Sequence, residues 1–334
     1  MKIQELRNLI KGVDRELLEK AFAETYKKVT KGQKEELDEI INNIFAGKDE
    51  KNIKKNESMD FNELEAEITR FLSNAYAQNY FAPNKVIPKS QRPKWRFMVK
   101  KYIKELEKIS TEDENFSQAA KLLTDIYHLL CEACNYYLFS TDDPFRSVGW
   151  EQQDLFQLVV KKNFGLGYSR EKIAALLLTA ASGGLSREAL HIYQESVLVA
   201  ELKVSDVKYM AIEEAQKLIE ERKKKLKGLK KYDDQQYYLR ETINELCGVV
   251  LMIAVELAET ASGIEYYFQN CERKDKEITL YCALEIVDWV EDDALWIKVY
   301  EYGIGKKIVP RDYLTQKYKQ LTEYEETGDM EEDE

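Results

Sequence analysis

A chain of 334 residues, 44% apolar and 33% charged, has material for one large or two ordinary hydrophobic cores. Its 14 glycines and 5 prolines are too few for the frequent turns of an all-β fold. The formal charge of −11 is concentrated at one end: residues 321–334 hold eight acids and no base, which leaves −3 for the first 320 residues.

The near-neutral body leaves room for a locally basic face, and residues 321–334 read as an acidic, disordered tail. Five cysteines (Cys131, Cys134, Cys247, Cys271 and Cys282) sit mostly inside apolar helical patterns, and the opening MKIQELRNLI is no signal peptide. Reduced core thiols in a cytoplasmic protein are the expectation. The longest apolar run, residues 246–254, is about half of the ~20 residues a membrane span needs. It reads as a buried helix, and no membrane partner is expected.

In chain order, the first 57 residues predict a small helical subdomain with a linker. Its three apolar stripes are Ile3, Leu6, Leu9 and Ile10; then Leu17, Leu18, Ala21, Phe22 and Tyr26; then Leu37, Ile40, Ile41, Ile44 and Phe45. Residues 48–58 offer only Ile53 for burial and form the linker. A main helical domain follows over residues 58–320. Asp60 and Glu63 have capping-box spacing ahead of a stripe from Phe61 to Tyr76.

Residues 79–104 then interrupt the helical pattern with three of the five prolines, Pro83, Pro88 and Pro93. This reads as an extended crossing between helical layers, with a helix restarting near Lys94. Further helices are predicted over 116–139 and 150–164. Ser169-Arg170-Glu171 and Ser186-Arg187-Glu188, 17 residues apart, predict the openings of two arms of an αα-hairpin. A long helix opens at Ser205 and ends in lysines, two more span 234–270 and 276–302, and a terminal one starts at Pro310. No period-2 apolar pattern persists. The fold class is therefore all-α, with about a dozen helices in αα-hairpins. They are expected to form an α-solenoid-like stack in the manner of HEAT or TPR arrays, or else an irregular two-layer bundle.

Catalytic signatures are missing: there is no GxxxxGK[ST], HExxH or GxSxG, and two histidines cannot supply a His-rich metal site. One arrangement does suit a divalent metal. Asp125 and His128, and Glu188 and His191, are each carboxylate-x-x-His, so each pair shares a helix face, as in di-metal bundles. Glu63 or Glu67, with Glu151, would complete such a centre. His128, Cys131 and Cys134 do not make a zinc site, because on one helix they drift by about 120° and rise ~9 Å.

The stronger candidate is a binding surface. No acid occurs over residues 68–104, while nine bases do, interleaved with Tyr80, Phe81, Trp95, Phe97 and Tyr102. Lys89, Arg92, Lys94, Trp95 and Arg96 are its centre. Asp142, Asp143, Arg146 and Trp150 belong to a loop that either clamps the crossing, by pairing with Arg92 or Arg96, or frames a cleft beside it. The reading that follows is a non-catalytic helical scaffold that binds a protein partner and needs no cofactor. Its alternatives are a carboxylate–histidine metal enzyme and a nucleic-acid binder using the basic 85–104 segment.

Overall fold

The computed structural model describes residues 60–230, 233–289 and 292–328, with side chains to residue 323, and residues 6, 9–29, 34, 37, 38, 41 and 45 of the first 59. Among the described residues the protein is all-α, with fourteen α-helices and no strand. The chain divides into two compact units, residues 1–60 and 61–334.

In the first unit, α1 (Arg15–Lys28) starts where the Asp14 carboxylate accepts the Arg15 N–H at 2.8 Å. Arg15–Glu19 and Lys27–Glu24 pairs brace its exposed surface. Much of the first and third apolar stripes and the linker 48–58 lie outside the described residues.

The second unit begins with α2 (Phe61–Tyr76), which buries Leu64, Ile68, Phe71 and Ala75 along one face. The crossing carries a cis Ala82–Pro83 bond and ends in one 3-10 turn, Arg92–Lys94. It leads into α3 (Trp95–Lys108), which buries Trp95, Val99, Tyr102, Ile103 and Leu106. Both helices pack on α4 (Phe116–Asn135), and the short α5 (Pro144–Val148) packs on α3 and α4. A cluster of rings locks this region. The Trp95 indole stacks on Phe139 with centroids 3.9 Å apart, Phe139 stacks on Phe71, and Tyr80 and Tyr102 close on Phe71 at 5.3 and 5.5 Å.

α6 (Gln152–Phe164) lies between α4 and α8 (His191–Glu201), and α7 (Arg170–Ser182) packs on α8. Ser169 caps α7 as expected, its hydroxyl accepting the Lys172 N–H. Ser186 does not open the second arm. Its N–H and hydroxyl are bound to Gln152 and Asp143, so residues 183–190 stay irregular and α8 starts only at His191.

α9 (Ser205–Gly228) and α10 (Gln235–Glu256) follow, with α10 at the centre of the rest: it packs on α7, α8, α9, α11 (Thr260–Asn270) and α12 (Lys276–Asp288). Every residue from Leu246 to Ala254 is buried, as a core helix requires. α13 (Asp293–Gly305) packs on α12, and α14 (Asp312–Gly328) packs on α13.

The two long helices expected over 234–270 and 276–302 are each broken. Ala258 at φ 58 ends α10, with the Glu259 N–H closing on the Ala254 carbonyl at 2.8 Å, a left-handed helix end made without glycine. Asp292 caps α13 through the Leu295 N–H at 2.9 Å, within an acid run that resembles helix interior. The final helix continues to Gly328, past residue 321, where the acidic tail was expected to begin disordered. Among the described residues no helix is long and apolar enough to cross a membrane.

Candidate functional site

The basic crossing splits into an inner and an outer half. Its rings Tyr80, Trp95 and Tyr102 are core residues, with Trp95 only 4% exposed, so they are spent on packing. Arg92 is also structural, its Nε donating to the Ile87 carbonyl at 2.9 Å. The outer half is cationic. Lys85, Lys89, Lys94, Arg96, Lys100 and Lys104 are exposed, and none forms an ion pair among the described residues. On α3, Arg96, Lys100 and Lys104 recur every fourth residue and so make one stripe. Lys101, on the flank, pairs with Glu67 at 3.0 Å. The exposed Phe97 lies beside the Arg96 guanidinium, 5.1 Å from its ring centre.

The loop after α4 neither pairs with Arg92 nor with Arg96 in the described contacts. Asp142 pairs with Arg187 at 3.2 Å. Asp143 caps α5 by accepting the Arg146 N–H at 3.1 Å, and its other oxygen accepts the Ser186 hydroxyl at 2.6 Å and the Arg187 N–H at 3.3 Å. Burial works to raise the Asp143 pKa. The three hydrogen bonds outweigh it, so the carboxyl lies below its usual range.

The buried Gln152 reinforces the same junction, with its Oε1 on the Ser186 N–H and its Nε2 on the Gly184 carbonyl at 2.9 Å. Gly184 is required there, because a Cβ would overlap the Cys131 carbonyl oxygen. The loop thus fastens to the 183–190 segment. Arg146 and Trp150 border a cleft of about 200 Å³ beside it, with Gln194 at its wall. Gln194 is 1% exposed and neither end of its amide has a partner.

The two carboxylate–histidine pairs are not brought to one centre. His128 Nε2 bonds the Thr179 hydroxyl at 2.9 Å, and His191 Nδ1 donates to the Ala180 carbonyl at 2.8 Å, so each ring is fastened to α7. Glu188 pairs with Arg146 at 2.9 Å, and Glu67 accepts from Lys101 and the Tyr102 hydroxyl. Asp125 stays near Lys121 and His128, and burial raises its pKa against their pull. Among the described residues no group of three or more His, Cys, Asp or Glu side chains could hold a metal ion.

The most unusual chemistry lies where α8, α10, α11 and α12 meet, around a cleft of about 210 Å³. Glu195, on the buried face of α8 with Leu198, Val199 and Leu202, is 1% exposed, and its Oε1 has no hydrogen-bond partner. It lies against Gly248 of α10, where an added Cβ would stand 3.9 Å from the Glu195 carboxylate and 3.1 Å from Ile286. Across the cleft, Arg273 pairs with Glu245 at 3.2 Å. The Arg273 Nε lacks a partner. The Tyr267 hydroxyl has the Cys271 thiol beside it and no nitrogen or oxygen partner. Asn244 accepts the Glu272 N–H at 2.8 Å. The His191 Nδ1–H donates to the Ala180 carbonyl, so that nitrogen carries a proton.

Burial pushes the Glu195 carboxyl well above its ordinary range, the Glu245 charge adds to this, and Arg273 only partly opposes it. Burial also raises Glu245, against the pull of Arg273 and His191. The Cys282 thiol, which lines the same cleft, is pushed up to about 11, mainly by burial. A second, larger cleft of about 820 Å³ shares Arg273 and Cys282 with the first, and carries Tyr237, Arg240, Glu241 and Glu272 on its walls.

None of Glu195, Glu245, Tyr267 and Arg273 was signalled by a motif. The available clue was register: Glu195 stands three, four and seven residues before Leu198, Val199 and Leu202, on the stripe that α8 buries. Comparison of the chain with protein-family models, with curated proteins and with solved structures finds no match in any of the three.

Proposed function

We propose that the protein acts by binding rather than by catalysis, and that the cationic band of the crossing and α3 docks an acidic segment of a protein partner. The observation that carries this reading is the set of six exposed cations without ion pairs among the described residues, mounted on a ring-stacked base. A rigid base lowers the ordering cost of association, and unpaired cations lose no internal partner when they engage a carboxylate. Helices that pack mainly on their near neighbours in sequence support the expected stacked scaffold, with α3 displayed at one of its faces. Tyr80, Trp95 and Tyr102 are spent in the core and Phe97 stays exposed, which favours a protein partner over single-stranded nucleic acid, since stacking successive bases needs several exposed aromatic faces.

The test uses the full chain and two probes, a fluorescent polyglutamate peptide and a single-stranded RNA of equal charge. Peptide binding that weakens with salt, and falls at least tenfold in Lys94→Glu/Arg96→Glu/Lys100→Glu, is the expected result. Peptide affinity unchanged by the triple reversal overturns the site, and tighter binding of the RNA overturns the protein-partner reading.

A further inference from the structure

We propose that the two neighbouring clefts around α8, α10, α11 and α12 bind an aliphatic diamine or polyamine, with one ammonium group seated on Glu195. The seat is a built one. Glu195 is 1% exposed, lines the inner cleft, and has a carboxyl oxygen with no partner of its own. A buried acceptor left unmade is costly, and an ammonium donor is the strongest partner it can receive. The Tyr267 hydroxyl, equally without an oxygen or nitrogen partner, lines the same cleft and can accept a second N–H.

Charge selects a cation once the existing ion pairs are cancelled. In the inner cleft Arg273 is paired with Glu245, His191 stands beside that pair, and the acids left over are Glu195 and, at the exposed rim, Glu285. In the outer cleft Arg240 is paired with Glu272 at 3.1 Å, and the remaining lining holds one cation, Lys274, besides Arg273, and four acids, Asp233, Asp234, Glu241 and Asp275. The outer cleft is thus net negative, the inner one gains its negative seat when Glu195 gives up its proton, and the two share Arg273 and Cys282 as lining. A single small cation would satisfy the inner cleft alone, whereas an elongated one also engages the outer acids. Its methylenes would pass Ile286 of the inner cleft and Ile278 of the outer one. The inner volume of about 210 Å³ equals roughly seven waters at ~30 Å³ each, enough for one aminoalkyl arm.

Binding balances through one proton. Burial raises the Glu195 carboxyl well above its ordinary range and so favours its protonated form when no ligand is bound. When the ammonium group arrives with its charge, the carboxyl releases its proton to solvent and an ammonium–carboxylate pair remains. The cleft therefore exchanges a proton for an organic cation, and the exchange is favoured as the pH rises toward neutrality.

Titration calorimetry of the full chain with putrescine and with spermidine, in two buffers of different ionisation enthalpy at pH 7, tests this. The expected result is saturable binding at one site, tighter for spermidine, with an enthalpy that differs between buffers by the release of about one proton. 1,4-Butanediol, which lacks the charges, is expected not to bind. Glu195→Gln is expected to weaken the amines at least tenfold, and Glu112→Gln, in the turn before α4 and on the wall of neither cleft, to leave them unchanged. Absence of amine binding, binding without proton release, or binding unaltered in Glu195→Gln overturns the proposal. The buffer comparison on the unaltered chain decides the matter if the variant does not fold.

Discussion

The region of α2 to α5 and the region of α8 to α12 solve the same packing problem with opposite placements of charge. In the first, rings fill the interior and every cation of the basic segment is at the surface or bonded locally. In the second, Glu195, Glu245 and Arg273 lie inside, and five buried side-chain atoms, two on Gln194 and one each on Glu195, Tyr267 and Arg273, have no partner among the described residues. The first arrangement is cheap to maintain and leaves its charges free for an external surface. The second is costly, because desolvated charges are stabilising only when paired and fully hydrogen-bonded. Partners that are missing inside point to a ligand, whereas partners that are missing outside point to a docking face.

The contrast can be broken most forcefully at its two anchors. Trp95→Ala removes the indole stacked on Phe139 and opens a cavity beneath the crossing, so a loss of about 3–5 kcal/mol is expected in chemical denaturation. A loss below about 1 kcal/mol would mean that the rings do not anchor the segment. Arg273→Met leaves Glu245 unpaired beside Glu195, and a loss of about 3 kcal/mol is expected. Combining it with Glu245→Gln should recover most of that loss. Lack of recovery would show that Arg273 acts through packing alone.

Smaller effects sharpen the comparison. Asp143→Ala frees the 183–190 segment from the α5 junction, for an expected loss of about 1–3 kcal/mol at neutral pH. Because the native carboxyl lies below its ordinary range, its contribution is present above the unfolded pKa and is lost as the pH falls through the folded one. The variant and the unaltered chain should therefore converge in acid, and a gap independent of pH would contradict the assignment. Arg96→Glu with Lys100→Glu should change stability by no more than about 0.5 kcal/mol, since neither cation has an ion-pair partner among the described residues. A larger loss would make the cationic stripe part of the fold rather than its display.

The two regions also differ in how much of them the sequence made legible. Pro83, Pro88 and Pro93 marked the crossing because proline restricts the backbone wherever it occurs. The run 246–254 marked the core because burial on all sides leaves no polar face to alternate. Helix ends were legible where side chains made them, as at Ser169, and illegible at Ala258, where a non-glycine residue takes the left-handed conformation. Ser186 was misread because a serine followed by Arg-Glu looks like a cap wherever its hydroxyl is free, and Asp143, 43 residues away, had taken it. The Asp142–Arg92 clamp failed for the same reason: pairing between loops is decided by tertiary position, which local pattern does not encode.

The inner cleft was the least legible part. Glu195, Asn244, Glu245, Tyr267 and Arg273 come from three helices and the segment after α11, and each is locally unremarkable in its own helical pattern. Only the register of Glu195 with the buried stripe of α8 carried a trace. Acids are common enough in this chain, 61 of the aspartate and glutamate type, for one such coincidence to pass as surface variation.

The most direct measurement of the contrast is the pH dependence of stability in the unaltered chain and in Glu195→Gln, by urea unfolding between pH 5 and pH 8. A carboxyl raised by burial contributes stability that is fully present below its unfolded pKa and is lost as the pH rises through the folded one. Glutamine does not titrate, so the difference between the two proteins isolates Glu195. The expected result is that the unaltered chain loses stability relative to the variant with each step toward pH 8. Parallel profiles across the range would show that Glu195 is ionised and satisfied in the folded protein, and would contradict a buried, partnerless carboxyl in this cleft.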